Sequence, residues 1–422
     1  MALTRLALLV ASVMMAPPQE HDVLLERAQQ VAEYLEKAAE LPESLFAQIV
    51  LDRVGIGQLR AVFQTLHQQL GRVTFMGEVE RNGPYSGRFR FRCEKGFYTI
   101  VTLSVENRPP HKINGLFFGP PAPAAKSFDD LRAAFEQLPG TVSVLLRRLD
   151  PEPADLLALN SDEQLAIGST FKLYVLGALL ENGWPWEKVV RLKREWKSLP
   201  SGVLHKWPDQ APLTVHTLAT QMISISDNTA SDHLIHLIGR RAVEKALVQM
   251  GHSNPRMNMP FLTTREMFTL KSDVALLEEF IRLGVEERRE FLQRQVAARE
   301  PNVYAVPSTP TAIDRVEWFA SVRDLCAAMD YFRRTPHQEA REILAINPGV
   351  GTLNSAFTYV GYKGGSEAGV LNLTWLLRTR EGAWYALSAT WNNPEADVDQ
   401  TKFVGYAQAV LDLLADQNTG AP

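Results

Sequence analysis

Cysteine is nearly absent: the 422 residues hold two, Cys93 and Cys326. They fall in what read as different domains, so no disulfide is expected, and without a nearby His cluster they offer no zinc spacing. The nine histidines are scattered, which leaves neither a metal site nor a cofactor to expect. An excess of one charge is also missing. The 44 Lys and Arg against 48 Asp and Glu give a net charge of −4 and a pI of about 6.2. Basic residues are spread evenly, which sets nucleic-acid partners aside. Long apolar runs are lacking too: none reaches the roughly 18 residues a membrane anchor needs.

What is present begins with MALTRLALLVASVMMAPPQEHD, where one Arg precedes an apolar run from Leu6 to Met15. That is the plan of a cleavable signal peptide over residues 1–20, implying a secreted or periplasmic protein. The other reading is a short buried N-terminal helix. A chain of this length exceeds what one core usually serves, so two domains are expected.

From Asp22 to Leu70 apolar residues recur three and four apart in LLERAQQVAEYLEKAA, ESLFAQIVL and LRAVFQTLHQQL, predicting helices. After Gly71 the period becomes two. VTFMGEVER, GRFRFRCEK, FYTIVTLSVE and KINGLFFG predict four strands of an antiparallel meander. Residues 21–118 thus form a small α+β domain whose element order is similar to the cone-shaped nuclear-transport-factor and ketosteroid-isomerase domains. GPPAPAAKS, residues 119–127, is Pro/Ala-rich and reads as a linker that packs into neither unit.

Residues 128–422 form the second domain. SFDDLRAAFEQL predicts an opening helix, VSVLLRRL and DLLALN strands, the stretch from Trp184 to Glu342 a mostly helical region, and YKGGS, GVLNLTWLLRTR and WYALSATWNN further strands before a closing helix, FVGYAQAVLDLLAD. An antiparallel sheet built from both chain ends and packed on a helical subdomain would place a cleft between them.

Ser169-Thr170-Phe171-Lys172 is the only Ser-x-x-Lys in the chain, and it opens the apolar stretch FKLYVLGALL. Three residues apart on a helix, the hydroxyl and the amine share a face. Such a hydroxyl needs a base, and Lys172 can serve if burial, the helix N-terminus and a second cation lower its pKa. Chance alone supplies about one Ser-x-x-Lys in a chain this long, and a helix-capping Ser with a solvated Lys is the competing reading. Ser226-Asp227-Asn228 and Lys363-Gly364-Gly365 follow in order. The first reads equally as a helix N-cap, the second as a Gly-rich turn. Functionally, Ser226 could relay a proton and Asn228 hold a carbonyl. Lys363 could pair with an anion where Gly365 lets a substrate approach.

In this order the three elements resemble the serine β-lactamase and penicillin-binding-protein superfamily, most closely its class A-like branch. The resemblance covers about residues 128–417. It implies Ser169 as acylated nucleophile, Lys172 as its base and Ser226 as proton relay. It further implies Asn228 on a substrate amide, Lys363 on a substrate carboxylate, and the N–H groups of Ser169 and Ser366 as an oxyanion hole.

Two departures qualify it. Gly364 stands where the third motif carries Thr or Ser, so a hydroxyl contact to a substrate carboxylate is missing. The loop GHSNPRMNMPFL before Thr263-Thr264-Arg265-Glu266 has no Glu to activate a deacylating water. Glu266 reads as a capping-box residue. His252 and Asn258 are substitutes to consider, although a lone loop His is more often on the surface. The charged stretch EEFIRLGVEERREFLQRQ reads as a solvated helix face rather than a lid, and Trp184, Trp186, Trp196 and Trp207 as packing. The resemblance therefore implies a serine hydrolase with a Ser169 acyl-enzyme, a small-molecule β-lactam amide as first-choice substrate, and slow deacylation. The runner-up is a D-alanyl peptidase or esterase on the same scaffold. A penicillin-binding sensor acylated without turnover and an inactive scaffold are the readings from other classes.

Overall fold

The protein is described here by a computed structural model covering residues 22–37, 40–199, 201–350 and 356–419. The leader at 1–20 lies outside the described residues. The chain divides into two compact units, Met1–Phe91 with Val101–Phe117, and Arg92–Ile100 with Phe118–Pro422.

The first holds helices α1 (Val23–Glu36), α2 (Gln48–Arg53) and α3 (Ile56–Leu70), strand β1 (Val73–Arg81) and most of strands β2 (Ser86–Cys93), β3 (Phe97–Val105) and β4 (Ile113–Phe118), which neighbour one another in chain order. The second predicted helix is broken. A single turn at Glu43–Leu45 is followed by Phe46, which bridges to Ile113 while the Ala47 N–H donates to Ile113 O at 2.8 Å. Strand-like pairing of a buried Phe takes precedence there over helical periodicity.

The stretch 119–127 is not an unpacked linker. Its Ala122–Pro123 (β5) pairs antiparallel with Phe97 and Tyr98, and Ala122 lies in the same buried cluster as Leu131 and Phe135. Ser127 then opens α4 (Phe128–Glu136) through a capping box with Asp130.

The remaining elements of the second unit are β6 (Thr141–Asp150), β7 (Ala154–Leu159), β8 (Leu165–Ala166), α5 (Lys172–Glu181), β9 (Val189–Arg191), β10 (Pro212–Thr214), α6 (Val215–Ser224), α7 (Asn228–Ile238), α8 (Arg240–Gln249), α9 (Thr264–Lys271), α10 (Val274–Arg282), α11 (Val285–Phe291), β11 (Phe319–Ala320), α12 (Val322–Arg334), α13 (Gln338–Ala345), β12 (Phe357–Glu367), β13 (Val370–Thr379), β14 (Trp384–Asn392) and α14 (Gln400–Thr419). The main sheet runs β12-β13-β14-β6-β7, antiparallel throughout, so strands from both ends of the unit meet in it. This is the β-lactamase/transpeptidase fold: an antiparallel sheet flanked by helices and joined to a helical subdomain.

Alternation along the strands sorts the two faces. Val144, Leu146, Trp375 and Leu387 join α4 and α14 in one apolar cluster, while Leu145, Leu376 and Ala386 join α5 and the helical subdomain in the other. Part of the region predicted as helical is a short ribbon instead: β9 pairs with β10 around the loop 192–211. Pro208 and Pro212 lack the N–H that a helix there would need.

Helix α5 is buried from Lys172 through Leu180, as a helix apolar on all sides should be. Leu176→Ala at its centre should therefore cost about 2–5 kcal/mol, read as a lower urea midpoint at unchanged slope. A loss below about 0.5 kcal/mol would contradict this placement.

Candidate active site

The sequence places Ser169 in a one-turn 3-10 helix, Gly168–Phe171, that runs directly into α5. Ser169 stays partly exposed at the cleft while Lys172, one turn on, is fully buried. Ser226 ends the turn between α6 and α7 with φ of +58°, a conformation uncommon for a residue with a Cβ. Asp227 holds it there: its carboxylate caps α7 at the Ala230 N–H, 2.9 Å, and accepts from the N–H groups of Val203 (2.6 Å) and Leu204 (2.8 Å). The loop before β10 adds Ser201, whose Oγ donates to Ser226 O at 2.6 Å. Neither Asp227's bonds to Val203 and Leu204 nor the Ser201 contact carries a sequence signal beyond a capping residue.

These elements bring Ser169, Lys172, Ser226 and Lys363 of the three motifs together. Lys172 Nζ lies 3.1 Å from Ser169 Oγ, 3.1 Å from Ser226 Oγ, 2.6 Å from Ser226 O and 2.7 Å from Asn228 Oδ1. Lys363 Nζ reaches the same Ser226 Oγ at 3.1 Å from the opposite side, on β12. A neutral lysine amine has two hydrogens and one lone pair. Donating both hydrogens to the carbonyl oxygens of Ser226 and Asn228 leaves the lone pair facing the two hydroxyls. The arrangement can take a proton from Ser169 and pass one along Ser226.

The electrostatics favour that neutral form. Burial holds Lys172 well below the ordinary lysine range, the charge of Lys363 adds to this, and Asp232 and Asp227 oppose it. Burial alone lowers Lys363 to about 7. Asn228 Nδ2 spends one N–H on Leu199 O at 3.1 Å and keeps another. Asp232, one turn further along α7, accepts from the Thr264 and Arg265 N–H groups and from Thr264 Oγ1, while burial raises it to about 7.

Strand β12 packs tightly on the nucleophile turn. A Cβ on Gly365 would collide with Ile167 O and the N–H groups of Ser169 and Thr170, and one on Gly168, at φ +48°, would come within 3.0 Å of Ser366 N. The backbone amides of Ser169 and Ser366 are thereby neighbours across this contact. The surrounding cleft has a volume of about 740 Å³ and is bordered by Ser169, Ser226, Asn228, Lys363 and Ser366. It is also bordered by Trp318, which stacks on Phe171 at 3.9 Å, and by Val306–Ser308. Neither was singled out from the sequence, since a Trp and a Pro-containing loop carry no spacing that marks a site.

The proposed water-orienting substitutes lie elsewhere. His252 is buried rather than on the surface, with Nε2 2.7 Å from Phe319 O and Nδ1 accepting from the Asn254 N–H. Asn258 exchanges hydrogen bonds with both backbone groups of Phe319. Together they fix β11. Glu266 closes the capping box with Thr263 and pairs with Arg240 at 2.6 Å. Among the described residues bordering the cleft, two carboxylates appear, Glu367 and Asp397. Glu367 is bound by Lys271, which also holds Glu317 at 2.8 Å, and Asp397 by the Gly369 and Val398 N–H groups. The charged stretch behaves as amphipathic α10 and α11: Leu276, Leu277, Phe280 and Phe291 are buried, the Arg282–Glu278 and Arg294–Glu290 pairs lie outside, and Arg289 pairs with the buried Glu244 at 2.6 Å. Trp184 and Trp186 pack on the core, Trp196 stacks on His236 at 4.7 Å, and Trp207 is exposed.

Residues 126–294 match the model of a family described as the β-lactamase enzyme family. That segment is similar to this family. It contains the first two motifs in the arrangement described, so the second unit is a serine-hydrolase domain of β-lactamase type. No curated protein matches the chain. Similar solved structures include a β-lactamase from Sphaerobacter thermophilus, 20% identical over 70% of this chain and 97% of that one, with a TM-score of 0.48. A β-lactamase from Francisella tularensis is 14% identical over 70% and 98%, at 0.48, and PBP-A is 15% identical over 69% and 95%, at 0.47. Among the described residues no helix is long and apolar enough to cross a membrane.

The depressed Lys363 carries a sign for stability. Folded, it is neutral above a pH of about 7, whereas an unfolded chain keeps the ammonium to about 10.5. Between these values the unfolded state binds the extra proton, so stability rises with pH. Urea titrations from pH 7 to 10 should show the wild type gaining on Lys363→Met, and parallel profiles would contradict the shift.

Proposed function

We propose that the second unit hydrolyses an amide through an acyl-enzyme on Ser169, with a β-lactam as the substrate class. The observation that carries this reading is the buried Lys172 amine within hydrogen-bond reach of both Ser169 Oγ and Ser226 Oγ. Lys172 takes the Ser169 proton as Oγ attacks the carbonyl carbon. Ser226, between the two lysines, returns a proton to the departing nitrogen. The amides of Ser169 and Ser366 bind the oxyanion, and Asn228 and Lys363 hold the substrate's amide and anionic ends; Gly365, expected from the sequence to admit the substrate, instead makes room for the nucleophile turn. Lys172→Ala should slow acylation by a factor of about 10²–10⁴, measured by stopped-flow with a chromogenic cephalosporin.

Deacylation is the weak half. The residues between Gly251 and Thr263 supply no carboxylate, and His252, Asn258 and Glu266 are committed to the framework. This favours long-lived acylation, and it also suits a D-alanyl peptide or ester whose acyl group passes to a better acceptor than water. In the same reading residues 1–20 are a cleaved leader and the hydrolase acts outside the cytoplasm. Intact-mass measurement after penicillin exposure should show one adduct, localised to Ser169, persisting beyond mixing times and absent in Ser169→Ala. A wild type that no β-lactam acylates would remove this substrate class.

A further inference from the structure

Gly364 removes a side chain from the cleft wall between Lys363 and Gly365, and the space is not empty. A Cβ built on Gly364 would collide with Tyr362 Oη. Residues 362 and 364 share a face of β12, so the phenol folds along its own strand to fill its neighbour's position. A second glycine makes this possible: a Cβ on Gly349 would collide with the Tyr362 ring itself. Trp375, the cross-strand partner of Tyr362, supports the ring at a centroid distance of 5.0 Å.

The hydroxyl delivered there has chemistry to spare. Tyr362 borders the cleft, and no hydrogen bond from its hydroxyl to any described residue is present. Burial raises its pKa above the ordinary phenol range, so it remains a donor at any working pH. On the other side of Gly364, Lys363 Nζ donates to Gly364 O and lies near Ser226. A phenol donor and the Lys363 amine, which is protonated below a pH of about 7, thus flank one residue of the cleft wall. Two such donors are best matched by an acceptor with two oxygens and a negative charge.

We propose that Tyr362 is a specificity-determining residue whose hydroxyl, together with Lys363, binds the carboxylate of the acyl donor, supplying from position 362 the hydroxyl absent at 364. This rests on the Ser169 acylation reading. The substrate class is narrowed to carboxylate-bearing β-lactams or acyl peptides with a free carboxyl terminus.

The test compares acylation of wild type and Tyr362→Phe by a penicillin and by its methyl ester, read as the ratio of second-order acylation rates. A hydrogen bond to a charged group contributes about 1.5–3 kcal/mol, so the acid-to-ester ratio should fall about 10- to 100-fold in Tyr362→Phe. Gly364→Thr with Tyr362→Ala, which vacates the space and refills it with a hydroxyl, should restore the preference for the acid. A Tyr362→Phe ratio within twofold of wild type, with Ser169 still labelled, would overturn the role of Tyr362 alone. Absence of any adduct in wild type with either compound would overturn the acylation reading and this proposal with it.

Discussion

The site depends on keeping an amine dry. Lys172 lies on a helix with no exposed residue from 172 to 180, and the room around its Nζ is filled by two carbonyl oxygens and two hydroxyls. Burying an ammonium without a carboxylate in contact is costly, and the inexpensive response is to lose the proton. What would be a defect in an ordinary core becomes a base with its lone pair directed at Ser169. The second lysine strengthens the effect, since a cation on Lys363 raises the cost of one on Lys172.

That arrangement explains much of the surrounding architecture. Ser226 must offer both its carbonyl and its hydroxyl to the amine, which requires an unusual backbone conformation, and the Asp227 carboxylate and the Ser201 hydroxyl hold it. Strand β12 must bring Lys363 and the Ser366 amide against the nucleophile turn, and a backbone without side chains at 168 and 365 allows that approach. The glycines of the third motif are therefore different in kind. Gly365 admits the turn, while Gly364 admits the phenol of Tyr362.

Much of this was legible in the sequence because the signals were local. Alternation placed β1, β6, β7, β13 and β14 nearly to the residue, whereas β12 begins at Phe357, five residues before the predicted YKGGS, and continuous apolarity placed α5 at the centre. Three short motifs in order were enough to group Ser169, Lys172, Ser226 and Lys363, whose side chains come from helix, turn and strand. Features set by tertiary contact were not legible. Phe46 breaks a helical pattern because Ile113 pairs with it. Ala122 is buried in a stretch whose composition reads as a linker. His252 is buried because Phe319 and Asn254 satisfy its ring. Tyr362 reads as one more strand aromatic until the two glycines around its ring are seen in space.

The direct test of the account is the protonation state of Lys172 itself. Carbon NMR of lysine Cε in the folded protein, assigned with Lys172→Met, follows the amine through a pH titration. A neutral Lys172 amine requires a midpoint well below that of the exposed lysines. A midpoint near the ordinary lysine value of 10.5 would mean that the amine beside Ser169 is a cation at neutral pH, and it would contradict the mechanism built on it.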